Sequence, residues 1–175
     1  MVEKNKCCGK TVEKQATIEK PYHFVDSGLP NVYLVGIKYW ACKECGKQSA
    51  EIPALKDLLT KIARAVTQKE DLLTGQEIRF LRKRLGKKSA DFARIIGVVP
   101  EQVSRWENDP STSREKSADK LIRVFYSHLS GDSELKKQID RHIEEFLSTI
   151  PGEEHTDRYR VKHKNATWTA EPIPA

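Results

Sequence analysis

Four cysteines, Cys7, Cys8, Cys42 and Cys45, all fall in the first third of this 175-residue chain. Thiolates so placed can hold a metal or exchange disulfides. Cys42-Lys-Glu-Cys45-Gly46 is the regular half, with two sulfurs two residues apart and a glycine opening the tight turn, as in the knuckles of tetrahedral zinc sites. Cys7-Cys8-Gly9 is irregular. Aligned by its Cys-Gly, Cys8 takes the second ligand position and Asn5 stands at the usual first. Adjacent side chains in an extended chain point to opposite faces, so both sulfurs reach one ion only where the backbone bends. The reading is a structural Zn²⁺ held by Cys7, Cys8, Cys42 and Cys45, the alternative set being Cys8, Cys42, Cys45 and either His23 or water. Redox chemistry competes for any CxxC, but a thioredoxin-like site needs a βαβ context that the neighbouring sequence lacks. So small a unit uses the ion to offset chain entropy, and four protein ligands leave no open position for catalysis.

A second set of residues is suited to reading DNA. Pro100 to Asn108 predicts a short helix with Val103 and Trp106 inward, leaving Glu101, Gln102, Ser104 and Arg105 outside to meet base edges. A guanidinium at Arg105 pairs bidentately with guanine O6 and N7, and the Gln102 amide reads adenine. Arg82, Lys83, Lys87 and Lys88 precede this helix and are assigned to phosphates.

Three helices must position these groups. Thr74 with Glu77 three residues on is a capping box, and Ile78, Leu81 and Leu85 fall on one face before Gly86 ends the helix. Ser89 is read as the cap of the second helix, whose Phe92, Ala93 and Ile96 point inward; Gly97 turns the chain, and Pro100 suits the first position of the third helix. Ala93 is small enough for steeply crossing helices. Residues 74–128 hold 12 Lys/Arg against 7 Asp/Glu, an excess that coincides with the helical pattern and points to a helix-turn-helix that binds DNA.

The remaining segments are read by periodicity and composition. Tyr22–Val25 and Val32–Tyr39 are β-like around a Ser27-Gly-Leu-Pro30 turn. Leu55, Leu58, Leu59, Ile62, Ala63 and Val66 make one helical stripe expected to pack on the zinc-binding sheet, and Thr67–Asp71 is a polar hinge. Two helices follow, about Glu115–His128 and Ser133–Leu147; their apolar positions suggest core or a dimer surface. Residues 129–150 carry 3 basic and 5 acidic residues, so this surface faces away from DNA. The segment from Pro151 is polar and read as a flexible tail, with one short strand suggested by the alternation of Tyr159, Val161 and His163.

Hydrophobic content of 38% and a mean hydropathy of −0.63 favour small units over one large core. No run approaches the roughly eighteen apolar residues of a membrane span and no signal peptide opens the chain, so a cytoplasmic protein is expected, without membrane partners. His23, His128, His142, His155 and His163 form no HExxH motif or spaced cluster, and no nucleophile motif or phosphate loop occurs; an enzyme is not expected.

The unit bearing Ser27-Gly-Leu-Pro-Asn-Val32 and Leu34-Val-Gly-Ile37, followed by Glu77-Ile-Arg-Phe-Leu-Arg82 and Val103-Ser-Arg-Trp-Glu107, resembles the MqsA/YgiT-type antitoxins and their zinc-finger/Xre-family regulator relatives over about residues 5–130. The resemblance implies a zinc domain that engages a partner, a ribonuclease toxin in the antitoxins, and a helix-turn-helix domain that dimerises and represses an operator. It sets Arg105 and Glu101 at base-reading positions, with Glu101 in place of an amide, and Ser89 where a phosphate-contacting Gln often stands.

Together these readings predict an α+β protein: a zinc-ribbon-like β domain (1–52), a helix and hinge (53–72), an Xre-type, lambda-repressor-like helix-turn-helix domain (73–130), an additional helix (131–150) and a polar tail (151–175). Its expected partner is a palindromic operator in double-stranded DNA, bound by a homodimer whose two reading helices lie about 34 Å apart. Two functions stay open, an autoregulating antitoxin that binds a toxin through the zinc domain and a stand-alone zinc-containing regulator; a CxxC thiol-redox protein is the alternative of a different class.

Overall fold

The computed structural model describes residues 9–112, 115–141, 158–164 and 167–173. Five strands come first, β1 (Thr11–Gln15), β2 (Tyr22–His23), β3 (Val32–Val35), β4 (Lys38–Cys42) and β5 (Gln48–Ala50). Six helices follow, α1 (Leu55–Gln68), α2 (Gly75–Arg84), α3 (Ser89–Ile96), α4 (Pro100–Asn108), α5 (Lys116–Leu129) and α6 (Ser133–Arg141), then strands β6 (Arg158–Lys164) and β7 (Thr167–Ile173). The strands form two sheets, ordered β1-β4-β5 and β2-β3-β6-β7.

The second sheet contains the short strand suggested by Tyr159, Val161 and His163 and adds another after it, in place of a flexible tail over these residues. β6 pairs parallel with β3, Leu34 opposite Val161, and antiparallel with β7, Val161 opposite Ala170 and His163 opposite Trp168. Tyr159, Val161 and Trp168 are buried while Thr167, Thr169 and Glu171 are exposed. That alternation with period two is what a half-buried strand requires. Its partner β3 lies far upstream, so composition alone reads the segment as polar.

Helix α1 covers this second sheet. Leu58, Ile62, Ala63 and Val66 are buried, whereas Leu55 at the other end of the predicted stripe is exposed. The Trp168 indole N–H donates to Pro53 O at 2.9 Å, tying β7 to the start of α1. The helix begins at Leu55 rather than Pro53, after Ala54 takes a left-handed φ of 48°.

The expected hinge after α1 is a fixed joint. Arg123 on α5 is fully buried; its Nε donates to Asp119 at 2.7 Å and its Nη1 to the carbonyls of Thr67 and Lys69 at 3.0 and 2.5 Å. Its Nη2 donates to Asp71 O. The other Asp119 oxygen accepts from Leu73 N at 2.6 Å. The carbonyls past a helix end have no intrahelical partner, and once buried they need donors; a guanidinium, with five N–H groups, supplies several together. Lys69 and Glu77, both buried, pair at 2.9 Å just beyond.

Helix α6 folds back on the same region. Leu135 and Ile139 are buried, and Asp132 takes two hydrogen bonds from Arg64 on α1, at 2.5 and 2.6 Å. Ile143, Phe146 and Leu147, predicted on this helix, lie outside the described residues. Buried side chains from Ala16 through Ile62, Phe92 and Ile139 to Trp168 form one continuous core. The expected separate cores for the β unit and the helices are therefore one.

Two stability measurements follow. Arg123→Ala strands a buried carboxylate and three carbonyls, and should lower the unfolding free energy by about 3–5 kcal/mol, with Arg123→Lys recovering only part because an ammonium cannot span the carbonyls. Urea titration followed by circular dichroism reads this, and a single transition is expected. Burial raises the Asp132 carboxyl, but hydrogen bonds from Arg64 and the Leu135 N–H outweigh it and hold the group below its usual value. That stabilisation is complete above the unfolded value of about 3.9 and is lost as pH falls through the lower folded value, so Asp132→Asn should flatten the acid limb of the stability curve.

Candidate nucleic-acid interface

Helices α2, α3 and α4 present the residues assigned to DNA, and their mutual placement begins with local chemistry. Thr74 caps α2, its Oγ1 accepting from Glu77 N at 3.3 Å while Glu77 Oε2 accepts from Thr74 N at 2.7 Å. Leu85 caps the far end and Gly86 follows with φ of 64°. Gly97 ends α3 with φ of 75°, and Pro100 opens α4. Phe92, Ala93, Val103 and Trp106 are buried as expected. Gly75, not singled out in the sequence, lies where a Cβ would come within 2.0 Å of Trp106 O. The first turn of α2 therefore rests directly on the backbone of α4.

A buried carboxylate couples the two helices. Glu107, at the C-terminal end of α4, accepts from Arg82 Nε at 2.6 Å, Arg82 Nη2 at 2.8 Å and Arg79 Nε at 3.2 Å. Arg82 Nη1 also donates to Lys87 O at 2.8 Å, and Arg79 Nη2 to Asn108 Oδ1 at 2.7 Å. The hydrogen bonds to Glu107, offset in part by burial, hold the Arg82 guanidinium above its ordinary value. Arg82, assigned to phosphate, directs three of its N–H groups to Glu107 and the Lys87 carbonyl and so ties α4 to α2. Arg84 turns inward as well, donating to Thr60 Oγ1 on α1 at 3.2 Å.

Of the remaining assigned residues, most face solvent. Glu101, Ser104 and Arg105 are exposed along α4, with Gln102 half-buried beside them. Among the described residues Arg105 forms no ion pair; the nearby Glu107 is occupied by Arg79 and Arg82. Ser104 is partly engaged, its carbonyl and hydroxyl accepting from Asn108 Nδ2 at 2.8 and 3.4 Å. Lys83 and Lys88 are exposed and Lys87 half-exposed. Lys88, not Ser89, occupies the cap position of α3, and Ser89 is the first helical residue, its Oγ buried with no hydrogen-bond partner among the described residues. Lys83, Lys88 and Arg105, exposed, and Lys87, half-exposed, are open to an approaching polyanion.

The cysteine set is only partly within the described residues, which exclude Cys7 and Cys8. Cys42 ends β4 and is buried, while Cys45 is exposed in the following turn. Cys42 N donates to Lys47 O at 2.9 Å and Gly46 N to Cys42 O at 3.1 Å, closing the knuckle on Gly46 with φ of 70°. His23 belongs to the other sheet, stacked on Tyr33 with its Nε2 2.7 Å from Pro30 O. No group of three or more His, Cys, Asp or Glu suited to a metal occurs among the described residues, so Cys42, Cys45 and His23 are not brought together.

Residues 78–126, from α2 into α5, match a helix-turn-helix family model. No curated protein and no solved structure matches the chain. The match supports a DNA-binding transcriptional regulator with a helix-turn-helix. Among the described residues no helix is long and apolar enough to cross a membrane.

This geometry divides the basic residues into two classes that binding titrations separate. Arg105→Ala should cost about 1–3 kcal/mol on the preferred duplex and much less on random DNA. Lys87→Ala or Lys88→Ala should weaken both duplexes alike and make the salt slope shallower by about one unit. Arg82→Ala should instead lower the melting temperature, at a cost of about 1–3 kcal/mol, because Glu107 keeps only Arg79.

Proposed function

We propose that this protein is a sequence-specific repressor that binds a palindromic operator as a homodimer, inserting α4 of each subunit into the major groove. The observation that carries the reading is the exposed Arg105 beside half-buried Gln102 on α4, together with exposed Lys83 and Lys88 and half-exposed Lys87, within the segment that matches the helix-turn-helix family. One such unit reaches few bases, so two copies one DNA turn apart supply the specificity. For the dimer surface, Leu121 and Leu129 are the large apolar side chains left exposed on α5, whereas Leu135 and Ile139 of α6 are used internally. Sedimentation with and without the selected duplex tests the assembly. A monomer at micromolar concentration in both conditions overturns it.

The β unit is proposed to hold one structural Zn²⁺. The chain just after Cys8 runs beside the Cys42–Cys45 turn. Lys43 N donates to Lys10 O at 3.2 Å, and a Cβ on Gly9 would lie 2.3 Å from the Glu44 carboxyl carbon. This approach fits a four-thiolate set of Cys7, Cys8, Cys42 and Cys45. Bound there, zinc would cross-link the two arms without taking part in chemistry. Elemental analysis of protein purified without added metal should find one zinc per chain, and none means the assignment fails. Cys42→Ser should abolish the zinc and lower the melting temperature of the whole protein, since the β unit shares its core with the helices.

The role follows from these two parts. The favoured reading is an antitoxin that represses its own operon through α4 and engages a toxin through the β unit, on the resemblance of the motifs described above. The second reading is a stand-alone regulator whose β unit is structural. Co-expression with the product of an adjacent small reading frame discriminates them. Relief of a growth arrest, lost when the β unit is altered but kept in Arg105→Ala, supports the antitoxin; no arrest or no relief supports the stand-alone regulator.

A further inference from the structure

Val99 breaks two local rules together. It immediately precedes the first turn of α4, with φ of −79° and ψ of 149°, and its side chain makes no cap hydrogen bond to that helix. Ser, Thr, Asp or Asn here would satisfy an orphaned N–H, which an aliphatic side chain cannot do. Val99 is also 61% exposed, while its neighbour Val98 packs against the core. Neither helix formation nor burial accounts for a valine at this place.

Its position supplies a reason. Gln102 N donates to Val99 O at 3.0 Å, so Val99, Gln102 and Arg105 succeed one another at three-residue steps from the N-terminal end of α4. That end of a reading helix is the one whose residues meet base edges in the major groove. The thymine C5-methyl is the apolar feature of those edges, and an aliphatic side chain laid against it removes both surfaces from water.

We infer that Val99 is a specificity-determining residue that covers the C5-methyl of a thymine beside the base pair read by Gln102. The inference rests on the proposed DNA-reading role of α4. It explains why an exposed apolar group stands where a polar cap would stabilise the free protein: the cost in the free protein is offset on the bound duplex.

The full-length protein is first used to enrich a duplex from a random-sequence library. Each thymine of that duplex is then replaced singly by deoxyuridine, which lacks only the methyl, and titrated with wild type and with Val99→Ser. Wild type should lose about four-fold in affinity at one thymine in each half-site. Val99→Ser should be indifferent to the same replacement and should melt about 2–4 °C higher, because serine supplies the missing cap. Equal sensitivity of both proteins at every thymine, or no sensitivity in wild type, overturns the inference. If the library yields no enriched duplex, the DNA-reading role of α4 itself fails and the inference falls with it.

Discussion

The buried Arg123 guanidinium is the constraint on which the arrangement of this chain depends. It joins α5 to the three carbonyls that leave the end of α1, and Asp119 beside it both balances its charge and holds Leu73 N. Removing an ion pair of this kind from water is expensive, and the pair is kept only where its hydrogen bonds are complete. Here they turn a polar connector into a rigid joint. The β unit and the helix-turn-helix consequently share a core, with α1 packed against β6 and β7 as well as α2 and α5.

A second buried carboxylate organises the DNA-facing side in the same way. Glu107 gathers Arg79 and Arg82, and Arg84 reaches Thr60. Of the basic residues in the last turn of α2, only Lys83 is left fully exposed. The local excess of positive charge is thus a poor guide to which side chains meet phosphate. Part of it is spent holding α4 at a fixed angle, which is what lets Arg105 and Gln102 be presented together. Gly75 belongs to the same contact, since any side chain there would push α2 off the Trp106 carbonyl.

Much of the helical region was legible because its determinants are local. The Thr74–Glu77 box, Gly97, Pro100 and the inward row of Phe92, Ala93, Val103 and Trp106 each act within one or two turns, so spacing reveals them. The zinc reading draws on equally local evidence for Cys42 and Cys45, whereas His23 illustrates the limit: it is close in sequence to the first sheet but belongs to the second, where Tyr33 and Pro30 occupy it.

The chain's own sequence determined the ends of α2 and the start of α4, which helix faces are apolar, and that α4 leaves Glu101, Ser104 and Arg105 exposed with Gln102 half-buried beside them. Those properties follow from backbone geometry and from side chains a few residues apart. The tertiary structure alone decided that the strand hinted at by Tyr159, Val161 and His163 pairs with β3 and is joined by β7, that the connector after α1 is locked by Arg123, and that Arg82 serves Glu107. Each of these depends on partners distant in sequence. A charged or polar side chain carries no local mark of whether it will meet water, a carbonyl or an opposite charge, and only the closing of the core selects among them.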